Sequence, residues 1–152
     1  MKINFTNKQF AKLIRLVYLG NWMVNAIRDP GEVEKDYDDL ESHVFSHCKD
    51  FGMPEFAEEE TGIAYPTRKL EEDKEILRFM DEYNEDNFWE ELIYRLGNRD
   101  FHRHYGPAKI KVMTNWIDRA GKRDPFVEKY EDEFDKNGLD RLEISNNKIN
   151  LL

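Results

Sequence analysis

The sequence predicts a mainly α fold: a single domain over residues 1–152, with five or six helices packed around the first helix. A small two- or three-stranded β element is expected from the chain termini. Helical periodicity runs through most of the 152 residues, and the alternating runs sit at the two ends. Ten Phe, seven Tyr and three Trp supply enough large apolar area to close a core despite 36% charged residues.

Lys2-Ile3-Asn4-Phe5 alternates like a short strand. Thr6 followed by Gln9 has capping-box spacing, so the first helix should start near Asn7. It should run to about Arg28, where Asp29-Pro30-Gly31 stops it. A helical wheel places Leu13, Ile14, Leu16, Val17, Tyr18, Val24 and Ile27 on an apolar arc about 200° wide around Phe10. So wide an arc marks a helix covered on several sides. A second helix is expected over about Asp36 to Phe51, with Leu40, Val44, Cys48 and Phe51 inward and Gly52 as its stop.

Residues 52–66 read as the longest loop. Thr67 can cap a third helix to about Tyr83, with Leu70, Leu77 and Met80 inward. Asn84 to Asp86 break the pattern, and a fourth helix should end near Asp100 or His104. Gly106-Pro107 opens a fifth segment, about Ala108 to Ala120, with Ile110, Met113 and Ile117 in register. Asp124-Pro125 reads as the cap and first residue of a sixth helix ended by Asn137-Gly138. The runs around Asn146-Asn147 signal a hairpin that could accept the N-terminal strand.

The net charge of −9 is unevenly spread. Residues 1–28 hold five basic and no acidic residues, 29–94 balance at −16, 95–123 at +6 and 124–152 at −4. The negative total disfavours bulk binding to nucleic acid or anionic lipid. No run reaches the ~18 apolar residues of a membrane span. The N-terminus lacks a signal peptide's apolar stretch, and Cys48 alone fits a reducing compartment, so a soluble cytoplasmic protein is expected.

Three constellations could carry function. Asn21, Asn25 and Arg28 continue the inward line of the first helix at i, i+4, i+7, and buried polar groups need partners. With Asp100, which falls on the apolar face of the fourth helix, they form a candidate polar pocket for a ligand or an enzyme reaction. Arg28 should be partly buried and paired with Asp100, Asp29 or Glu32. Arg95, Arg99, Arg103, Lys109 and Lys111 form a candidate basic patch for a nucleic-acid-associated factor, although cations near a helix C-terminus also suit its dipole. His43 and His47 are one turn apart but lack the glutamate of a zinc peptidase, so no metal is expected.

No catalytic residues and no cofactor are assigned, because no GxSxG, P-loop, dinucleotide glycine pattern or CxxC occurs. The leading expectation is a protein-interaction or adaptor module. Its partner would be another protein, and a symmetric homodimer is expected because Leu19, Trp22 and Met23 lie off the main arc.

Overall fold

The structure is a computed structural model that describes residues 3–143. Among these the fold is mainly helical, with five α-helices, one short 3-10 helix and one two-stranded antiparallel sheet. The chain divides into two compact units between Tyr83 and Asn84.

In the first unit, α1 (Asn7–Asn25) starts with the expected capping box. Gln9 N donates to Thr6 Oγ1 at 3.3 Å, and Thr6 N donates to Gln9 Oε1 at 2.9 Å. The helix buries Phe10 and Ile14. It ends three residues before Arg28, and Arg28 N donates to Asn25 O in the turn that follows.

Helix α2 (Lys35–Phe45) places Asp36 and Asp38 in its first turn, where the dipole favours carboxylates. It stops six residues short of the expected end. Cys48 N bonds Phe45 O and Gly52 N bonds Lys49 O, so residues 46–52 form successive turns closed by Gly52 at φ 70°. These turns bury Cys48 completely and stack Phe51 on Phe10, with ring centroids 3.9 Å apart. Leu40, expected inward, is half-exposed.

The sheet lies in mid-chain and not at the termini. Strand β1 (Ala57–Glu60) pairs with β2 (Ile63–Pro66) in the register Glu60↔Ile63 to Ala57↔Pro66. Thr61 at φ 56° and Gly62 at φ 82° make the two-residue turn, whose positive φ values match the strand twist. Residues 3–5 carry no strand, and the expected hairpin around Asn146-Asn147 lies outside the described residues.

The expected third helix is split. Helix α3 (Arg68–Glu71) is one turn long, and Asp73 then caps α4 (Lys74–Lys111) by accepting from Glu75 N at 2.9 Å. The split rotates Ile76 into the core and leaves Leu77 partly exposed. The core of this unit is Phe10, Ile14, Phe45, Cys48, Ala64, Leu70 and Ile76. Helix α1 is central here, among α2, the hairpin, α3 and the first turns of α4.

The second unit holds the rest of α4 and α5 (Trp116–Asn137). Asn84 to Asp86 do not break α4, since such residues cost only about 0.7 kcal/mol each in a helix. Gly106 does interrupt it, at φ 72° and ψ 160°. The fifth segment ends at Lys111, and Asn115 caps α5 by accepting from Ile117 N at 2.9 Å. Ile110 is buried, whereas Ile117, expected beside it, is exposed.

Pro125 therefore sits inside α5 and starts no sixth helix. The helix continues across it because packing holds both sides. Arg123 stacks on the Tyr94 ring at 4.9 Å, and Val127 lies against Gly97. A Cβ built on Gly97 would stand 2.8 Å from Val127 Cα, so α4 and α5 meet there with no room for a side chain.

Candidate functional site

The polar line of α1 packs on α2. Asn21 Nδ2 donates to Asp38 Oδ1 and to Glu41 Oε2, both at 3.0 Å. Asn25 Nδ2 donates to Asn21 Oδ1 at 2.8 Å and to Asp38 Oδ1 at 3.1 Å. Asn25 Oδ1 in turn accepts from Glu34 N at 2.9 Å, so it holds the residue that precedes α2. Two asparagine amides thus tie the start of α2 to the end of α1.

Arg28 is about one-third exposed. Its guanidinium donates to Val24 O and stands 3.9 Å from Glu34 Oε1, so its carboxylate partner is Glu34 and not Asp29 or Glu32.

Beyond this network lies a cleft of about 560 Å³ between α2 and the hairpin, lined by Lys35, Asp38, Asp39, Glu41, Ser42, Gly62 of the turn and Ile63 to Tyr65 of β2. Ser42 Oγ accepts from Ala64 N at 3.0 Å, which fixes the hairpin to the helix. Glu41 Oε1 is buried with no hydrogen-bond partner among the described residues. Burial pushes the Glu41 carboxyl up to about 7; Asp38 and Glu71 push the same way against the Asn21 hydrogen bond. The Tyr18 hydroxyl is also raised, by burial and then by Glu71 and Glu41. Glu41 gave no sequence signal of its own; part of its environment comes from the hairpin, which periodicity did not place.

The opposite side of α1 is apolar and open. Leu16 is 67% exposed, Met23 54% and Ile27 88%. Leu16 and Ile27 were expected inside. The buried line of α1 is narrower than its apolar arc, so the arc's far edge faces out. Helix α4 adds Phe79, 41% exposed, beside Leu16 and Leu19. Together with Lys12, Arg15 and Glu75 they line a groove of about 270 Å³.

The charged groups at this groove are already bonded to one another. Lys12 pairs with Glu75 at 2.5 Å, and Arg15 pairs with Asp73 at 2.6 Å. Burial alone would raise the Asp73 carboxyl, but the Arg15 hydrogen bond and two backbone N–H groups hold it below the usual range.

Asp100 belongs to the second unit, and its partners are all there. It accepts from Arg99 Nε at 2.9 Å and from the Tyr130 hydroxyl at 2.5 Å, and stands 3.5 Å from Arg103. The Arg99 and Tyr130 hydrogen bonds hold its carboxyl below the usual range. Arg95 pairs with Glu91 at 2.6 Å. Three of the five candidate patch cations thus have carboxylate partners, while Lys109 and Lys111 are exposed near the end of α4.

Rings of His43 and His47 meet edge to face at 5.3 Å, and His47 Nδ1 lies 3.2 Å from Asp50. No group of three or more His, Cys, Asp or Glu side chains is arranged to hold a metal ion among the described residues. No helix there is long and apolar enough to cross a membrane.

No family model, curated protein or solved structure matches the chain. Function therefore rests on the geometry alone.

Proposed function

We propose that this chain is a protein-interaction module and that the outer face of α1, with Phe79 of α4, receives an apolar helix face of a partner protein. The observation that carries the reading is the run of Leu16, Leu19 and Met23 on α1, continued by Ile27 in the turn after it. Leu19 reaches the core edge, while the other three are more than half exposed; Leu16 and Met23 stand seven residues apart, two turns along one helix face, and Ile27 follows four residues on. The groove between Leu16, Leu19 and Phe79 offers a recess for a large apolar side chain.

Three arginines of the basic segment are paired with carboxylates, which weighs against a phosphate-reading role for them. Residence in a reducing compartment belongs to the same proposal. It is supported by the single cysteine, Cys48, buried and with its thiol raised by burial to about 11.

A Leu16→Gln/Met23→Gln variant tests the reading without knowledge of the partner. Side chains that wait for a partner contribute little to the fold. Urea melts at sub-micromolar concentration should therefore give a stability within about 0.5 kcal/mol of wild type. A loss of about 2 kcal/mol would show that these residues pack within the chain and have nothing to dock.

A further inference from the structure

We infer that the partner seated on this face is a second copy of the chain, its α1 running antiparallel to the first and the two crossing at Gly20. The inference rests on the interaction reading above and names the occupant.

Gly20 lies inside α1, near the middle of the outer face. A Cβ built on it meets nothing within 4 Å, and its φ is not in the left-handed region. Neither space nor backbone conformation within the chain requires glycine there, although glycine weakens a helix interior. Gly97 shows what a fold-imposed helical glycine looks like here, with Val127 Cα 2.8 Å from its built Cβ. Open space at Gly20 is what a second helix backbone needs for close approach.

The sequence around Gly20 is self-complementary under a two-fold axis. An antiparallel copy crossing there sets Leu16 of one chain beside Met23 of the other, twice. Each Met23 then reaches the recess between Leu16, Leu19 and Phe79. An isologous contact of this kind closes at two chains.

Charge fixes the direction. The first 28 residues carry basic groups and no acidic ones, whereas the turn after α1 carries Asp29, Glu32 and Glu34. Lys8, Asp29 and Glu32 have no ion-pair partner among the described residues. Antiparallel pairing brings the Lys8 end of each helix to the Asp29–Glu32 turn of the other. A parallel pair would set Lys8 against Lys8 and Glu32 against Glu32, which repel.

Sedimentation equilibrium of the full chain, up to about 200 μM, tests the proposal. A mass of twice 18.3 kDa is expected for wild type. Gly20→Leu should raise the dissociation constant at least about tenfold, even though it adds apolar surface. Its thermal midpoint at low concentration should equal or exceed that of wild type, because leucine is the better helix former. Lys8→Glu should weaken the dimer about threefold or more, and Lys8→Glu/Glu32→Lys should restore it.

A wild type that stays monomeric, or a dimer that Gly20→Leu leaves intact, overturns the second copy as occupant. The Gln variant above then decides separately whether Leu16 and Met23 are free of the chain's own packing, as the interaction reading requires. If that variant melts like wild type, the interaction reading stands without this one. If it melts well below, both fall.

Discussion

Glu41 in the first unit and Asp100 in the second are both carboxylates held by hydrogen bonds between helices, and they titrate in opposite directions. Asp100 is met by Arg99, Arg103 and the Tyr130 hydroxyl, and its carboxyl is held down. Glu41 is met by one amide that it shares with Asp38, has Glu71 nearby, and is pushed up to about 7. The two helical glycines contrast in the same way. Gly97 is enclosed by its own unit, whereas Gly20 faces empty space. Asp100 and Gly97 are thus both met by groups of the second unit itself. In the first unit Glu41 Oε1 has no hydrogen-bond partner among the described residues, and the α1 face at Gly20 is open.

The sharpest way to break the glycine contrast is Gly97→Ala. The added methyl meets Val127 backbone and side chain at 2.8 Å, so the helices must part. A loss of about 2–3 kcal/mol is expected in denaturant melts. A loss below about 0.5 kcal/mol would mean that the α4–α5 contact yields and that the two glycines are not different in kind.

The carboxylate contrast makes two pH predictions of opposite sign. Glu41 in the folded chain keeps its proton to about 7, while the unfolded chain loses it near the ordinary glutamate value of about 4.3. Its contribution is fully present below the unfolded value and fades as pH rises toward 7. Wild type should therefore lose about 1–3 kcal/mol relative to Glu41→Gln between pH 4.5 and 7.5, less whatever solvent screening removes. Parallel pH profiles for the two proteins would contradict the raised carboxyl.

Asp100 has the opposite slope, because its folded carboxyl is lowered. Its stabilisation is present above the unfolded aspartate value and is lost as pH falls toward the lower folded value. Asp100→Asn should cost about 1 kcal/mol at pH 7 and little at pH 2–3. Tyr130→Phe should remove part of the same contribution. Additive losses in the double variant would show that Tyr130 and Asp100 are not coupled.

The smallest effect belongs to Gly20→Ala, where a methyl enters open space on a regular helix. The monomer should gain about 0.5–1 kcal/mol, against the loss at Gly97. A net loss in dilute protein would show that the chain itself needs glycine there.

Local grammar carried the sequence reading where one residue type decides the backbone. Thr6 with Gln9 marked the start of α1, and Gly106 marked the interruption of α4. Phe10, Ile14, Cys48 and Leu70 were all named as inward residues and are buried. Reading failed where tertiary packing outvoted a local signal. Asp124-Pro125 spells a helix start, yet α5 runs through it because Arg123 and Val127 are fixed on α4.

The hairpin escaped notice because Glu58-Glu59-Glu60 is poor strand material. Only Thr61-Gly62 betrayed the turn. The apolar arc at α1 is broader than the face the fold buries, so Leu16 at its edge, and Ile27 just past the helix end, face out. Of the polar pocket, Asn21, Asn25 and Arg28 do gather around α2, but through Asp38, Glu41 and Glu34, whose inward roles no spacing revealed. Asp100 does not meet Arg28 as expected; its partners Arg99, Arg103 and Tyr130 come from its own unit.

The pairing of α1 with α1 of a second copy is tested most directly by cysteine crosslinking across the seam. Cys48 is buried with its thiol raised to about 11, so it should stay silent under mild oxidation. Leu16→Cys mixed with Met23→Cys should form a disulfide-linked dimer within minutes at micromolar concentration, because antiparallel pairing sets position 16 against position 23. Each variant alone should crosslink far more slowly. Equal rates in the mixture and in the separate samples would contradict antiparallel pairing. Rapid crosslinking of Leu16→Cys with itself would place the helices parallel and overturn the account.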